Sequence, residues 1–185
     1  MFSKKNKFFL YAMFYALYAM LLSGCGYTTR SSVVSEGAGT IHVSLFKNGI
    51  DITKEISAKD KYEIYRPNLE IDIRDAIVNR IFLDGHLKVA AMDRADMILE
   101  GEITQYRKDP LRYQDEDVTE YRISLVCDIA LKSARDSKVL LNMENITGDA
   151  SYFTTGSLQK SENQALTDVA SDLARRIVNS IVENW

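Results

Sequence analysis

Two cysteines and two histidines carry the widest chemical repertoire in this 185-residue chain, and their spacing gives them little to do together. Neither His42 nor His86 has a cysteine or second histidine at the short spacing of a zinc site, so each reads as a half-exposed residue in or beside a strand. Cys127 alternates in phase with Leu125 and Ile129 and so points into a core, where a thiol behaves as a small inert hydrophobe. No glycine-rich phosphate loop, serine elbow or zinc-type helix occurs. Asp115-Glu116-Asp117 sets three acids side by side, but acids at adjacent loop positions more often form a solvated tip than a calcium site. The residues point away from catalysis and require no metal or cofactor.

Binding chemistry is better represented. Between Gln105 and Asp117 the chain reads QYRKDPLRYQDED, with Arg107, Lys108 and Arg112 set among Tyr106, Leu111 and Tyr113. Cations beside rings suit an amphipathic anion, whose phosphates pair with Arg and Lys while sugar or acyl surface lies on the aromatics. The same composition fits an ordinary polar hairpin tip.

Cys25 has a different chemistry. Lys4, Lys5 and Lys7 form a basic head, and Phe8 to Leu22 follow for fifteen residues without a charge. At 1.5 Å per residue such a helix covers about 22 Å, short of the roughly 30 Å hydrocarbon core of a bilayer. The pattern is that of a signal peptide ending on small residues. Leu22-Ser23-Gly24-Cys25 resembles the lipobox of bacterial lipoproteins, which implies cleavage after residue 24, an S-diacylglycerol and an N-acyl group on Cys25, and anchoring by several chains. Gly26, in place of an aspartate, implies sorting to the outer membrane.

These residues need elements to position them. Loss of the leader removes three lysines and no acid, leaving 20 basic residues against 26 acidic ones, a balance that excludes a nucleic-acid binder. With Cys25 used for lipid, Cys127 has no disulfide partner, so the fold rests on packing. Residues 25–39, rich in Ser, Thr and Gly, read as a tether, and a single domain occupies 40–185. Ile41, Val43 and Leu45 alternate with His42, Ser44 and Phe46 as a first strand. Residues 48–65 fit neither period. Pro67 suits the first turn of a helix running to about 83, with Leu69, Ile73, Ala76, Ile77 and Ile81 on one face and Gly85 as its stop.

A short strand at 87–91 and a strand through Met97, Leu99, Gly101 and Ile103 follow. The strongest alternation runs from Tyr121 through Ile123, Leu125, Cys127, Ile129 and Leu131, with Arg122, Ser124, Val126, Asp128, Ala130 and Lys132 on a wet face. Val139, Leu141 and Met143 form a last strand. Ser161 and Gln164 have capping-box spacing, ahead of a stripe at Leu166, Val169, Ala170, Leu173, Ile177 and Ile181. The order β-α-β-β-β-β-α predicts an α+β two-layer sandwich, with two helices on one face of a four- to five-stranded, mostly antiparallel sheet.

Taken in order, several short stretches resemble the LptE family of lipopolysaccharide-assembly lipoproteins. They are Cys25-Gly26-Tyr27, Ile41–Phe46 with Asn48, Arg66-Pro67-Asn68-Leu69-Glu70, Ala95-Asp96 before MILEGEI, Glu120-Tyr121, and Glu162, Ala165, Asp172-Leu173-Ala174 and Ile177 in the last helix. The stretch between Asn48 and Arg66 is longer than the family's usual link. The resemblance implies a non-enzymatic plug in the lumen of a large outer-membrane β-barrel translocon of the LptD type, which helps that barrel fold and contacts lipopolysaccharide. By position it implies that Arg112 and Lys160 touch the glycolipid. A different class of function, a periplasmic-facing lipoprotein that binds or regulates a cell-wall enzyme or envelope complex, would use the same sandwich without a barrel.

Overall fold

A computed structural model describes residues 39–50 and 68–183. The leader, Cys25 with most of its tether, residues 51–65 of the unplaced stretch, and Pro67 all lie outside those residues.

The strands are β1 (Thr40–Val43), β2 (Lys47–Asn48), β3 (Lys88–Val89), β4 (Met97–Gln114), β5 (Asp117–Ser133) and β6 (Val139–Phe153). The helices are α1 (Leu69–Asp84) and α2 (Glu162–Glu183). The sheet order is β3-β1-β4-β5-β6, with β2 also pairing with β4. β1 runs parallel to β3 and β4, whereas β4, β5 and β6 form an antiparallel meander. This is the expected α+β architecture, with six strands once the two-residue pieces are included.

Periodicity builds the helices. In α1, Leu69, Ile73, Ile77 and Ile81 recur every four residues and are all buried, while Gly85 closes the helix at φ 79° and donates its N–H to the Ile81 carbonyl at 3.1 Å. In α2, Leu166, Val169, Ala170, Leu173, Ile177 and Ile181 are buried as their stripe requires. The capping box is made on both sides: the Gln164 N–H donates to Ser161 Oγ at 3.2 Å, and the Ser161 N–H donates to Gln164 Oε1 at 2.9 Å. At Gly148 on β6 an added Cβ would stand 2.6 Å from Leu173 Cβ and 2.8 Å from its backbone nitrogen, so α2 lies against the bare strand. On the same edge strand, the Asp149 N–H donates to Asp172 Oδ2 at 3.2 Å, which covers an outward-facing donor.

Three expectations change. The first strand stops at Val43, leaving Leu45 exposed and Phe46 buried. Four positions separate Val43 from Lys47, yet their partners Leu99 and Glu102 stand only three apart, and the extra residue flips the phase. Phe46 then lies over Gly101, where an added Cβ would stand 2.2 Å from its ring. Second, Ser124 and Val126, expected on a wet face, are buried. β5 is flanked on both sides, and Ser124 Oγ donates to Asp149 Oδ1 at 2.6 Å. Third, the strands on either side of Gln105–Asp117 do not stop short of it. It is the far half of a continuous hairpin, with turn residues only at Asp115 and Glu116.

The register also fixes two ends of the sheet. Thr40 pairs with Lys88, Ile41 with Met97, Met97 with Ser133, and Lys132 with Val139, so the point where the tether meets the domain shares one end with the β5–β6 turn. The β4–β5 turn lies at the other end. At about 3.3 Å per residue, β4 spans up to about 55 Å between them.

Candidate functional site

The far half of the β4–β5 hairpin carries most of the candidate binding residues, and strand parity decides which way each one faces. Ile123 and Leu125 belong to the core beneath the helices. Tyr106 pairs with Leu125, Lys108 with Ile123 and Pro110 with Tyr121, so these share the helix side. Arg107 pairs with Ser124, Asp109 with Arg122 and Arg112 with Glu120, so these share the open side. Bulges after Ile103 and Pro110 keep the alternation from running straight through. Adjacent residues of one basic run therefore face opposite layers of the molecule.

On the helix side, Lys108 is committed to internal contacts. Its Nζ lies 2.7 Å from Glu162 Oε2, in the first turn of α2, and 4.6 Å from the centroid of the Tyr121 ring. The Tyr152 hydroxyl also donates to Glu162 Oε2 at 3.3 Å, and the Tyr121 and Tyr152 rings stack with centroids 5.9 Å apart. Partial burial pushes the Lys108 ammonium down, but the hydrogen bond and charge of Glu162 outweigh it and hold the group above the ordinary lysine value. This cluster fastens the hairpin to the start of α2.

The open side is arranged differently. Arg112 Nε lies 3.4 Å from Glu120 Oε2, and the guanidinium sits 5.6 Å from the Phe153 ring centroid. Glu120 pairs with Phe153 across β5 and β6, so Arg112, Glu120 and Phe153 form one row. In the rows below, Arg122 stands opposite Asp109 and Arg107 opposite Ser124, which makes Arg107 and Arg122 diagonal neighbours. Both are exposed, and neither makes an ion pair with a described residue. Arg122 was not singled out as a binding residue from sequence. Its place in the strongest strand pattern, out of phase with Ile123, was the signal that puts it on this face.

Lys160 precedes α2, and its Nζ lies 2.6 Å from Asp168 Oδ2. Its backbone N–H donates at 3.0 Å to the carbonyl of Phe153, the residue whose ring lies under Arg112. Arg112 and Lys160 thus meet the same strand end, one through its side chain and one through its backbone. Both already face carboxylates.

The remaining candidates stay apart. His42 Nδ1 is 3.2 Å from the Ala90 carbonyl, and His86 Nδ1 is 2.6 Å from Asp84 Oδ1. Cys127 is buried, and burial first, with the Asp128 charge adding to it, pushes its thiol up to about 12. Among the described residues no group of three or more His, Cys, Asp or Glu side chains is placed to hold a metal ion. The arrangement can hold anions and polar surfaces against arginine and aromatic groups.

With this geometry in place, comparison with known families is decisive, because lipopolysaccharide-assembly LptE matches residues 39–181 and so takes in the whole meander and nearly all of both helices. The chain belongs to the LptE family. That family is a non-enzymatic one of lipopolysaccharide-assembly lipoproteins. Solved structures also match the chain, at low identity. Rare lipoprotein B from Shewanella oneidensis is 14% identical, with 77% of this chain and 94% of that one covered at a TM-score of 0.43. A minor lipoprotein from Acinetobacter baumannii is 15% identical, with 80% and 94% covered at 0.47. The PelC dodecamer of Paraburkholderia phytofirmans is 13% identical, with 79% and 88% covered at 0.46. No curated protein sequence matches the chain.

Proposed function

We propose that this LptE-family chain is an outer-membrane lipoprotein, anchored by acyl groups on Cys25, whose domain sits in the lumen of a large β-barrel translocon and assists lipopolysaccharide to the outer leaflet. The reading assigns it no catalytic step. The observation that carries it is the side of the hairpin that no described element covers: both helices pack on one layer, and the far half of β4–β5 presents Arg107, Arg122 and Arg112 with Phe153 on the other. A protein held inside a polar lumen needs such a surface, because arginine and aromatic groups give strong, orientable contacts at interfaces.

The same face suits a phosphorylated glycolipid. An anion approaching Arg112 or Lys160 competes with Glu120 or Asp168, whereas Arg107 and Arg122 have no such internal partner among the described residues. These two arginines make first contact, with Arg112 and Lys160 joining on closer approach and Lys108 kept for structure.

Photo-crosslinking from position 105 or 109 in the native envelope tests the reading. The expected products are adducts with one outer-membrane barrel and with lipopolysaccharide. Adducts confined to a peptidoglycan enzyme or a transporter subunit would instead favour a regulatory lipoprotein of the envelope.

A further inference from the structure

Between α1 and α2 lies a groove of about 430 Å³ that the hairpin and its contacts do not use. The helices that wall it run the same way. α1 ends ahead of β3 at the tether end, while α2 starts beside Lys108 and Tyr152 and runs back past Gly148, and Arg80 Nη2 donates to Asn179 Oδ1 at 3.3 Å in the second half of both. The charges that line the groove fall into pairs, with two exceptions. Asp75 is held by Arg74 at 2.7 Å and Arg175 by Asp172, each within its own helix. Asp72, in the first turn of α1, lines the groove and makes no side-chain hydrogen bond or ion pair with a described residue. Arg80, about two turns further on, has no carboxylate partner among the described residues, and its Nε is shut off from solvent without a hydrogen bond. Native proteins seldom leave a buried donor in that state. The two unmatched charges stand eight positions apart, about 12 Å along the helix axis. The facing wall is small and can accept hydrogen bonds: Ala170 leaves room, and the Thr167 and Ser171 hydroxyls donate to the Asn163 and Thr167 carbonyls at 3.1 and 2.8 Å, which keeps their oxygen lone pairs for an incoming N–H.

We propose that this groove binds a short linear peptide, free at both ends, with its ammonium at Asp72 and its carboxylate on Arg80. A span of about 12 Å is that of three or four extended residues at about 3.3–3.6 Å each. The volume is that of a small-ligand site, and the alanines in its wall suit small side chains. A carboxylate seated beside Arg80 accepts from Nε and Nη2 together, the forked geometry in which arginine holds carboxylates best, and supplies the acceptor that Nε lacks. The two charges also fix direction, with the amine toward the hairpin and the carboxylate toward the tether end. A simple anion would leave Asp72 unmatched, and a simple amine would leave Arg80 so.

The test is calorimetric titration of the full chain in detergent with trialanine and tetraalanine, and with the same peptides N-acetylated or C-amidated. One peptide should bind per chain with a Kd of about 0.1–1 mM, and blocking either end should weaken binding about tenfold. Asp72→Asn, at an exposed position, should bind free and N-acetylated peptides equally and still prefer the free carboxylate, whereas Arg80→Gln should do the converse. Arg80→Gln also removes the hydrogen bond to Asn179, so a thermal melt checks that it folds; the blocked peptides leave the protein unaltered and carry the test without it. No saturable binding of either free peptide would overturn the proposal. Binding indifferent to both blocks would overturn it too, by making the groove a plain apolar contact. An unchanged preference for the free amine in Asp72→Asn would put the site elsewhere and do the same. The barrel reading rests on the opposite layer and survives each of these results.

Discussion

The two halves of β4 belong to one strand and obey different rules. From Met97 to Ile103 the strand lies under the helices, and Met97, Leu99 and Ile103 are buried while Ile98, Glu100 and Glu102 turn outward. From Gln105 to Gln114 the strand runs out from under its helical cover: Tyr106 is still buried and Lys108 still meets α2, but every residue after Lys108 is exposed. Packing dictates side-chain type in the first half. In the second the backbone ladder persists, paired to β5 as far as Gln114 with Asp117, while the side chains on the open side and past Lys108 are released for contact with something else. A sheet thus builds a stable body and a binding arm from one hairpin.

The packed half should break first and hardest. Leu125→Asp places an unpaired charge at a fully buried position and costs several kcal/mol, enough to abolish the cooperative unfolding transition in a thermal melt. Gly148→Ala forces a methyl group against the Leu173 backbone and should cost about 1–3 kcal/mol by urea denaturation. Lys108→Met, at the join between the halves, strands Glu162 without its ammonium partner and should cost about 1 kcal/mol. On the arm itself, Arg107→Ala with Arg122→Ala should shift the unfolding midpoint by less than about 0.5 kcal/mol while weakening lipopolysaccharide binding more than Lys108→Met does.

Acid sharpens the same contrast. Burial pushes the Asp172 carboxyl up, but hydrogen bonds from Arg175, Arg176 and the Asp149 amide together hold it below the usual aspartate value. Folding therefore favours its ionised form. The contribution is complete above the ordinary aspartate pKa and is lost as pH falls through the lowered value. Asp172→Asn should flatten the acid limb of a stability–pH curve, measured by urea midpoints, whereas Arg107→Ala should leave that limb unchanged.

Much of this was legible in the chain. The stripes of α1 and α2, the capping box at Ser161 and the β5 alternation came through because each is set by burial against one layer, and burial imposes a period. The arm did not, because past Tyr106 and Lys108 no described layer covers it and its residues alternate in nothing but charge. Bulges hid it further, since an added residue after Ile103 and another after Pro110 exchange the sides of all that follow. The same effect moved Phe46 into the core in place of Leu45. For the candidate site, residue type found Arg107, Lys108 and Arg112, but only strand pairing could separate Lys108 from the other two and add Arg122.

The central claim is that the open side of the arm is a contact surface and its helix side is a fastening. Crosslinking in the native envelope from Arg122, on the open side, and from Pro110, on the helix side, measures it directly. The account predicts that a barrel or lipopolysaccharide adduct forms strongly from position 122 and weakly from position 110. Equal yields from the two positions, or adducts from 110 alone, would contradict it.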